Sequence, residues 1–460
     1  MRRVPLMNCW CPSGCVDGGS NMLNVAYHGQ PVGRLVEGSG RIFFEYDSAW
    51  LAQGHDLSPL HLPRKPGVQY YHAKSFDGLP GLFHDSLPDS WGAKLMDMRF
   101  AEKGIKPNKV TPLMRLAYVG QRGMGALTYE PAWPEPGLLP KFQQTKLVVL
   151  EREARAVVAG SAGKVLSHLV EAGGTAGGAY PKVVIAVNDR VPDEVLYGGG
   201  EYPAGYRPWL VKFDLSTHNT IGPMEHAYAA MARAAGIAMP ETRLFAVADQ
   251  SGKVRRHFGV KRFDRDASER IHVHSFAGIA HKDPDKCDYR DLLLVAKALT
   301  RDMTQVLEGI RRMIFNVAAS NRDDHGKNHA FVYRRGEWAF SPAFDLVFVS
   351  PSVQSMRGMG IGGEWRAPTA AQVSALARDA GAEPKAIQAI TDQVAASVQR
   401  WPQFAKKAAV PAEEIERIAR VISDQRESLV SRNVIATAPT VAARPSGSRG
   451  QRRSRGISAK

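Results

Sequence analysis

Apolar and polar positions alternate with a two-residue period near the beginning of the chain, which is typical of β-strands. Leu23, Val25 and Tyr27 follow this alternation, residues 28–31 have the composition of a turn, and a second apolar run covers residues 42–46. Pro and Gly are frequent after these runs, and the four prolines in residues 131–140 indicate a boundary. We therefore predict a β-rich N-terminal subdomain over residues 22–130.

Patterns after this boundary predict a small sheet with one helix lying across it. Strands are expected over residues 183–187, 210–213 and 258–263, where apolar and β-branched residues are concentrated. Between the last two strands, residues 225–235 have apolar positions at helical spacing and end before a glycine. This second unit is predicted to cover residues 140–263.

The last third of the folded chain has mostly helical periodicity. Residues 306–317 place their apolar side chains on one helical face, and Asp302 and Gln305 have the spacing of an N-terminal capping pair. Residues 330–340 alternate around an Arg-Gly turn and predict one β-hairpin among the helices. The predicted fold class is α+β with two lobes, of which the helical C-terminal lobe covers residues 264–435.

Composition and charge narrow the classes of ligand. The hydrophobic fraction of 44% is sufficient for large cores, and the net charge is +15. Six of those charges fall in residues 436–460, a stretch rich in Ser, Gly and Pro that contains no acid, and we predict a disordered basic tail there. The remaining positive charge suits an anionic ligand such as a nucleotide, or nearby DNA, and does not choose between them.

Three of the four cysteines lie in the first residues of the chain. Cys9, Cys11 and Cys15 could hold a metal, but they lack the paired spacing of a zinc module, so residues 1–21 are predicted to be a disordered leader. The sequence contains no run of 18 apolar residues of the kind that predicts a membrane span. The two initial arginines are not followed by the apolar segment of a secretory signal. Few cysteines and no export signal predict a cytoplasmic protein.

The segment of residues 321–328 has the spacing of a protein-kinase catalytic loop. In such loops an aspartate precedes an asparagine by five residues, and a second aspartate follows an intervening hairpin. Asp323, Asn328 and Asp345 match this arrangement. Phosphoryl transfer requires a carboxylate that accepts the proton of the attacking hydroxyl and hard oxygen ligands for Mg²⁺. We therefore predict Asp323 as the catalytic base, and Asn328 and Asp345 as magnesium ligands.

Other interpretations of this segment remain open. Asn, Asp, His and Gly are common in polar turns, so the short motif alone has a real false-positive rate. His325 and His329 could ligate a metal, although Gly326 is unfavourable inside a helix and no glutamate sits beside the first histidine. Asp324 is predicted to be a structural acid that bonds to nearby backbone.

Two further pieces favour a phosphate site. Residues 173–178 are rich in glycine, which lets backbone amides approach phosphates, and Lys182 could add charge just before a predicted strand. A flexible linker explains these glycines equally well. Lys212 lies on another predicted strand, where a lysine is commonly a solvated edge residue. If Glu225 on the next helix pairs with it, the arrangement becomes that of the kinase lysine and glutamate.

Several short motifs occur together in the order found in one protein family. They are Leu87-Pro88-Asp89-Ser90-Trp91-Gly92, Tyr118-Val119-Gly120 with Arg122-Gly123-Met124-Gly125, Gly177-Gly178 with Pro181-Lys182, Arg262-Phe263-Asp264-Arg265, Asp288-Tyr289, and Asp323-Asp324-His325 with Lys327-Asn328. With these motifs the sequence resembles the HipA family of bacterial serine/threonine kinase toxins, from about Met22 to near Val434.

This resemblance implies a protein-kinase-like fold, ATP and Mg²⁺ as cofactors, and a cognate antitoxin whose helix-turn-helix binds DNA. It assigns the roles already given to the catalytic-loop residues, and it implies that Lys182, Lys212 and Phe263 contact ATP while Glu225 pairs with Lys212. Family members phosphorylate a serine in the glycine-rich loop and thereby inactivate themselves. The matching residue is Thr175, where a phosphate of about −1.5 to −2 charge would repel ATP.

The leading hypothesis is an ATP-dependent serine/threonine protein kinase that phosphorylates itself and a cellular protein. Known targets in the family include aminoacyl-tRNA synthetases, and the sequence does not name a target for this chain. One alternative is a catalytically quiet, kinase-shaped co-repressor that acts on DNA through its antitoxin. Another is a small-molecule kinase, because aminoglycoside and lipid phosphotransferases share the logic of the catalytic loop.

Overall fold

The computed structural model of the protein describes residues 21–53, 55–71, 76–132, 142–161, 167–173, 178–191, 194–199, 202–248, 252–266 and 269–431. The predicted leader, apart from its last residue, and the predicted basic tail lie outside the described residues. Thr175 and the three N-terminal cysteines also lie outside them, so the predictions on these residues are left as they stand.

The N-terminal part, residues 22–132, contains an antiparallel sheet with the strand order β4-β3-β2-β1-β5. Leu23 and Val25 of its first strand are buried between exposed neighbours, as the alternation predicted. The turn is shorter than predicted, and a strand that the sequence analysis missed begins at Gln30, because Gly33 and scattered charges interrupt its alternation. The strands are β1 (Met22–Tyr27), β2 (Gln30–Gly38), β3 (Arg41–Tyr46), β4 (Gln69–Tyr70) and β5 (Leu127–Glu130).

Short helices cover this sheet. Thr111 caps the last of them by accepting a hydrogen bond from the backbone N–H of Met114, with Pro112 in the first turn. Asp89 stands at the N-cap position of the longest, yet its side chain makes no hydrogen bond to that helix. The helices are α1 (Ser48–Gln53), α2 (Gly81–His84), α3 (Ser90–Glu102) and α4 (Pro112–Val119).

The middle part, residues 142–263, is built on a second antiparallel sheet with the strand order β10-β11-β9-β7-β8-β6. One helix lies against it so closely that a Cβ at Gly222 would be 2.3 Å from the carbonyl oxygen of Arg256. The strands are β6 (Phe142–Thr145), β7 (Lys182–Val187), β8 (Val195–Gly198), β9 (Arg207–Lys212), β10 (Thr242–Ala248) and β11 (Val254–Lys261), and the helices are α5 (Leu147–Val158), α6 (Ser167–Gly173) and α7 (Ile221–Ala234).

The helical part, residues 264–431, contains the predicted hairpin and a third strand that pairs with it. Its strands are β12 (Arg265–Asp266), β13 (Glu269–Arg270), β14 (His272–Ser275), β15 (Ala330–Arg334) and β16 (Glu337–Phe340). Its helices are α8 (Phe276–Ala280), α9 (Tyr289–Thr300), α10 (Met303–Ala318), α11 (Ala370–Asp379), α12 (Pro384–Val398), α13 (Trp401–Lys407) and α14 (Ala412–Ser431).

The predicted capping pair at the start of α10 forms only in part. Asp302 caps the helix by accepting from the backbone N–H of Thr304. The backbone N–H of Asp302 donates to Thr300 Oγ1, and Gln305 Oε1 accepts from the backbone N–H of Phe340 at 2.8 Å. A reciprocal capping box is therefore absent at this helix, because Gln305 instead fixes the end of the hairpin.

Two hydrophobic cores join the three parts. One lies among the helices of the helical part and includes Met231 of α7. The other is shared by the N-terminal and middle parts, with Leu23, Trp91 and Trp209 buried in it. The N-terminal part is therefore packed directly on the middle part. Among the described residues, no helix combines the length and the apolar character needed to cross a membrane.

Candidate active site

A cavity of about 580 Å³ opens between the middle and helical parts, with the N-terminal part forming one wall. Seven of the eight predicted site residues line it, and the eighth, Thr175, lies outside the described residues. Those seven are Lys182, Lys212, Glu225, Phe263, Asp323, Asn328 and Asp345. The structure thus brings together side chains from two strands, one helix and three loops that are up to 163 positions apart in the sequence.

The loop after α10 carries the first of these groups. Asn328 Nδ2 donates to the carbonyl oxygen of Asp323 at 2.6 Å, so the two ends of the loop are fixed to each other. Burial raises the pKa of Asp323, with Asp345 adding to the rise while His325 and Lys212 oppose it. His325 Nε2 lies 3.9 Å from Asp323 Oδ1. Asp323 therefore presents a carboxylate with increased proton affinity to the cavity.

The neighbouring Asp324 points away from the cavity and is 1% exposed. Its carboxylate accepts from Tyr289 Oη at 2.9 Å, Arg357 Nη2 at 3.0 Å and the backbone N–H of Gly358 at 3.0 Å. Because these donors occupy both oxygens, Asp324 fixes the loop to the helical part. These contacts are structural, as predicted, but they come from residues distant in sequence and not from the nearby backbone that was expected.

Asp345 lies on the facing loop in a left-handed conformation, with φ of 57°. Its carboxylate contacts the Lys212 ammonium, which also donates to Glu225 Oε1 at 2.5 Å. Burial alone would raise the pKa of Asp345, but Lys212 and Lys182 lower it to about 2. A non-glycine residue with positive φ is uncommon and is found preferentially at functional sites, where surrounding contacts hold it.

Lys182 and Lys212 lie directly opposite each other on the paired strands β7 and β9. Burial, together with the charge of Lys212, lowers the pKa of Lys182 to about 8. A Cβ at Gly178 would be 2.1 Å from Lys182 Nζ, so a side chain there would displace the ammonium. Two close ammonium groups under a glycine backbone form a site for an anion.

Much of the lining of the cavity is apolar. Phe263, two residues after the end of β11, stacks on Phe344 with ring centroids 5.8 Å apart and an interplanar angle of 27°. Other apolar side chains that line the cavity are Leu210, Ile221, Met224, Met239, Phe258, Val260 and Leu346. A flat, apolar compartment next to paired cations can accept a planar heterocycle that carries phosphates.

Comparison with known proteins connects this geometry to a family. The model of the HipA-like C-terminal domain matches residues 174–423, and the model of the HipA N-terminal domain matches residues 23–130. The chain belongs to the HipA family. Its site is therefore that of a HipA-family, kinase-like protein.

Two Sinorhizobium fredii proteins are similar to this HipA-family chain. One, named "Putative kinase Y4dM", is 25% identical over 72% of this chain and 78% of its own length. The other, named "Putative kinase Y4mE", is 27% identical over 74% of this chain and 81% of its own length. Both names agree with a kinase-like family.

Among solved structures, the chain resembles one from the Shewanella oneidensis MR-1 toxin–antitoxin system HipA, HipB and its operator DNA complex. The TM-score is 0.65 at 17% identity, and the match covers 91% of this chain and 100% of that chain. At this identity the likeness shows the fold alone. The predicted α+β, two-lobed, kinase-like fold is confirmed.

The N-terminal part of this HipA-family chain adds polar residues that the sequence analysis did not assign to the site. Asp85 and Asp89 both line the cavity. Asp89 Oδ1 accepts from Lys327 Nζ at 2.7 Å, and Asp89 Oδ2 accepts from the backbone N–H of Gly178 at 3.0 Å. The available signal was the position of Asp89 in the motif of residues 87–92, and the sequence analysis predicted no helix after it.

The oxygen ligands in the cavity decide whether it could hold Mg²⁺. Within the described residues, no group of three or more His, Cys, Asp or Glu side chains is arranged around one metal position. Mg²⁺ bound through a nucleotide takes only one or two protein carboxylates, with phosphate and water supplying the other ligands. Asp345 and the side-chain oxygen of Asn328 therefore fit such an ion.

Proposed function

We propose that the protein is an ATP-dependent serine/threonine protein kinase of the HipA type, with Asp323 as its catalytic base. The observation that carries this proposal is the meeting of Asp323, Asn328 and Asp345 with the Lys212–Glu225 pair in one cavity. A base, two magnesium ligands and a lysine paired with a helix glutamate are the parts that protein kinases need.

Asp323 would accept the proton of the attacking hydroxyl. Because burial raises its pKa, the carboxylate is a stronger base than an exposed aspartate, which favours proton transfer near neutral pH. The bond from Asn328 Nδ2 to the carbonyl oxygen of Asp323 leaves the amide oxygen of Asn328 available to a metal ion. Mg²⁺ bound there and at Asp345 would neutralise charge on the phosphates.

The nucleotide would lie with its base against Phe263 and its phosphates beside Lys212 and Lys182. Glu225 holds the Lys212 ammonium in place, as the 2.5 Å contact indicates. Lys182 adds a second positive charge from the paired strand. A small-molecule kinase would use the same groups, so the class of acceptor needs a test of its own.

Thr175 is the proposed site of self-phosphorylation. It is three residues from Gly178, which lines the cavity, and three residues span at most about 11 Å. A phosphate on Thr175 would place negative charge beside the two lysines that are proposed to receive ATP. An aminoacyl-tRNA synthetase is one candidate for the cellular substrate, by resemblance to the family.

The decisive experiment is intact-mass analysis after incubation with MgATP, with the Asp323→Asn variant in parallel. The expected result is one added phosphate on the natural sequence alone, mapped to Thr175. Phosphorylation of bulk cell protein by the natural sequence would separate a protein kinase from a small-molecule kinase. No phosphate on itself, on bulk protein or on small acceptors would contradict kinase function.

A co-repressor role is the second candidate, favoured by the fold match to a chain from a complex that contains HipB and operator DNA. In this role a cognate antitoxin with a helix-turn-helix binds DNA in the cytoplasm, and this chain acts on DNA through it. A gel shift on operator DNA, with and without the partner, tests this role. Full co-repression by the Asp323→Asn variant would show that the co-repressor role does not require catalysis.

A further inference from the structure

Asp89 departs from the usual behaviour of an aspartate at the start of a helix. An N-cap aspartate normally accepts from the backbone N–H groups of its own first turn, and that bond stabilises the helix. Asp89 precedes α3 with extended backbone (φ −80°, ψ −165°) and makes no such bond. The Asp89 carboxylate is therefore free of its own helix and can bond to other segments. Residues that depart from a local sequence rule in this way often belong to functional sites.

The carboxylate joins two segments that belong to the cavity. One oxygen accepts from Lys327 on the catalytic loop at 2.7 Å, and the other accepts from the backbone N–H of Gly178 at 3.0 Å. Lys327 lies between Asp323 and Asn328 in the sequence, directly beside the latter. Gly178 ends the glycine-rich stretch, four residues before Lys182. Asp89 therefore connects the proposed phosphate-binding segment with the proposed catalytic loop.

Trp91 strengthens the same connection. Its backbone N–H donates to the carbonyl oxygen of Gly178 at 3.2 Å, so Gly178 is bound at both its N–H and its C=O. Its indole Nε1–H donates to the carbonyl oxygen of Lys182 at 2.9 Å. The start of α3 thus holds both ends of the short segment between Gly178 and Lys182.

The charges around Asp89 fit an ion pair with Lys327. Burial alone would raise the pKa of Asp89, but Lys327 and the amide of Gly178 lower it. Burial and the charge of Lys327 also lower the pKa of the neighbouring His84. Lys327 therefore supplies the positive charge that faces Asp89.

We propose that Asp89, from the N-terminal part, is a positioning residue for phosphoryl transfer that fixes the catalytic loop relative to the segment from Gly178 to Lys182. This inference rests on the proposed kinase function. It makes the N-terminal part a component of the catalytic cleft, because Asp89 sets the separation between Gly178 and Lys327. A displacement of about 1 Å between reacting groups can lower a rate about 100-fold.

Two substitutions at Asp89 separate its two contacts. Asp89→Asn retains one acceptor oxygen for Gly178 but loses the charge that holds Lys327. We expect it to lower kcat about tenfold and to change KM for ATP less than threefold, since loss of a charged hydrogen bond has roughly that effect. Asp89→Ala loses both contacts. We expect it to lower kcat about 100-fold and to raise KM for ATP as well.

Asp302→Asn is the matched control, because Asp302 is also an N-cap aspartate but bonds to its own helix and is remote from the cavity. We expect its kcat and KM to equal those of the natural sequence. A Lys327→Met variant completes a cycle: if the two residues act as a pair, Asp89→Asn should add less than twofold to its loss in kcat.

The outcomes separate this inference from the proposed function. If the natural sequence transfers no phosphate to any acceptor, the kinase proposal fails and takes this inference with it. If the natural sequence is active and both Asp89 variants match Asp302→Asn in kcat and KM, the positioning role alone is wrong. It is also wrong if the losses parallel a fall in Tm and disappear at lower temperature, or if Asp89→Asn and Lys327→Met lower kcat independently.

Discussion

Two clusters of buried charge lie near the cavity, and they differ in how completely their carboxylates are satisfied. In the junction cluster, Asp264 accepts from Arg262 Nε at 2.9 Å, Arg262 Nη2 at 2.6 Å, Arg265 Nη1 at 2.6 Å and the backbone N–H of Gly125 at 2.9 Å. In the cleft cluster, a single ammonium, that of Lys212, is shared by Glu225 and Asp345.

This difference separates a structural cluster from one that can bind a ligand. Asp264 is 0% exposed and joins the loop at Gly125 to the helical part, with four hydrogen bonds shared between its two carboxylate oxygens. The side chain of Asp345 is 28% exposed to the cavity and still has capacity to accept a cation. A buried carboxylate with unused acceptor sites next to an accessible cavity is therefore the better indicator of function than burial of charge itself.

Substitution of the cleft aspartate should have the largest effect. Asp345→Asn removes the charge that is proposed to hold Mg²⁺, so we expect phosphoryl transfer to fall by about 10³-fold. The free energy of unfolding should change by less than about 1 kcal/mol, because Lys212 keeps Glu225 as its partner. Radiolabel transfer and urea unfolding measure the two effects. Activity within tenfold of the natural sequence would contradict the proposed role of Asp345.

Substitution of the junction aspartate, Asp264, should lower stability strongly and activity only slightly. Asp264→Ala leaves Arg262 and Arg265 buried without their partner, and breaking such a pair costs about 3–5 kcal/mol. We expect that loss in urea unfolding, while the remaining folded fraction retains kcat within about threefold. A stable Asp264→Ala protein without activity would show that the junction cluster, like the cleft cluster, acts in catalysis.

The sequence was sufficient to predict those candidate site residues whose chemistry requires a fixed spacing along the chain. Asp323, Asn328 and Asp345 were found because one short loop and the following hairpin bring them together, and the structure places all three in one cavity. The pairing of Lys212 with Glu225 was anticipated from the sequence, because a strand followed by a helix can place a lysine against a glutamate. Both predictions rest on residues that are close together in the sequence or on consecutive elements.

Long-range packing accounts for what the sequence did not provide. Asp89 is 238 residues from Lys327, and an aspartate before a helix is indistinguishable in sequence from an ordinary cap. The strands β2, β6 and β10 were missed because charged, polar or glycine residues interrupt their alternation, and β8 was missed because it is only four residues long. Their pairing depends on partners elsewhere in the sheets, which a local pattern does not contain.

A smaller effect is expected from the helix glutamate of the cleft cluster. Glu225→Gln keeps the shape of the side chain but removes the charge that orients Lys212, so we expect kcat/KM for ATP to fall about tenfold. Glu153→Gln is the matched control, because Glu153 is also buried but pairs with His168 and the backbone N–H of Leu169. Equal kcat/KM losses in both variants would mean that the effect is not specific to the cleft.

The same glutamate also makes stability depend on pH. Burial raises the pKa of Glu225 to about 6 from its ordinary value of 4.5, despite the opposing charge of Lys212. The folded protein therefore binds more protons at Glu225 than the unfolded chain between pH 6 and 4.5, so this residue contributes more stability as the pH falls through that window. Glu225→Gln lacks this contribution.

Urea unfolding at pH 7 and pH 4.5 measures this contribution as the difference between the natural sequence and Glu225→Gln. On acidification we expect the free energy of unfolding of the natural sequence to rise, relative to that of the variant, by up to about 2 kcal/mol. One pKa unit corresponds to about 1.4 kcal/mol. The comparison cancels the loss of stability that other carboxylates, such as Asp345, cause in both proteins at low pH. A difference that shrinks or reverses on acidification would mean that the Lys212 ion pair, rather than burial, controls the proton affinity of Glu225.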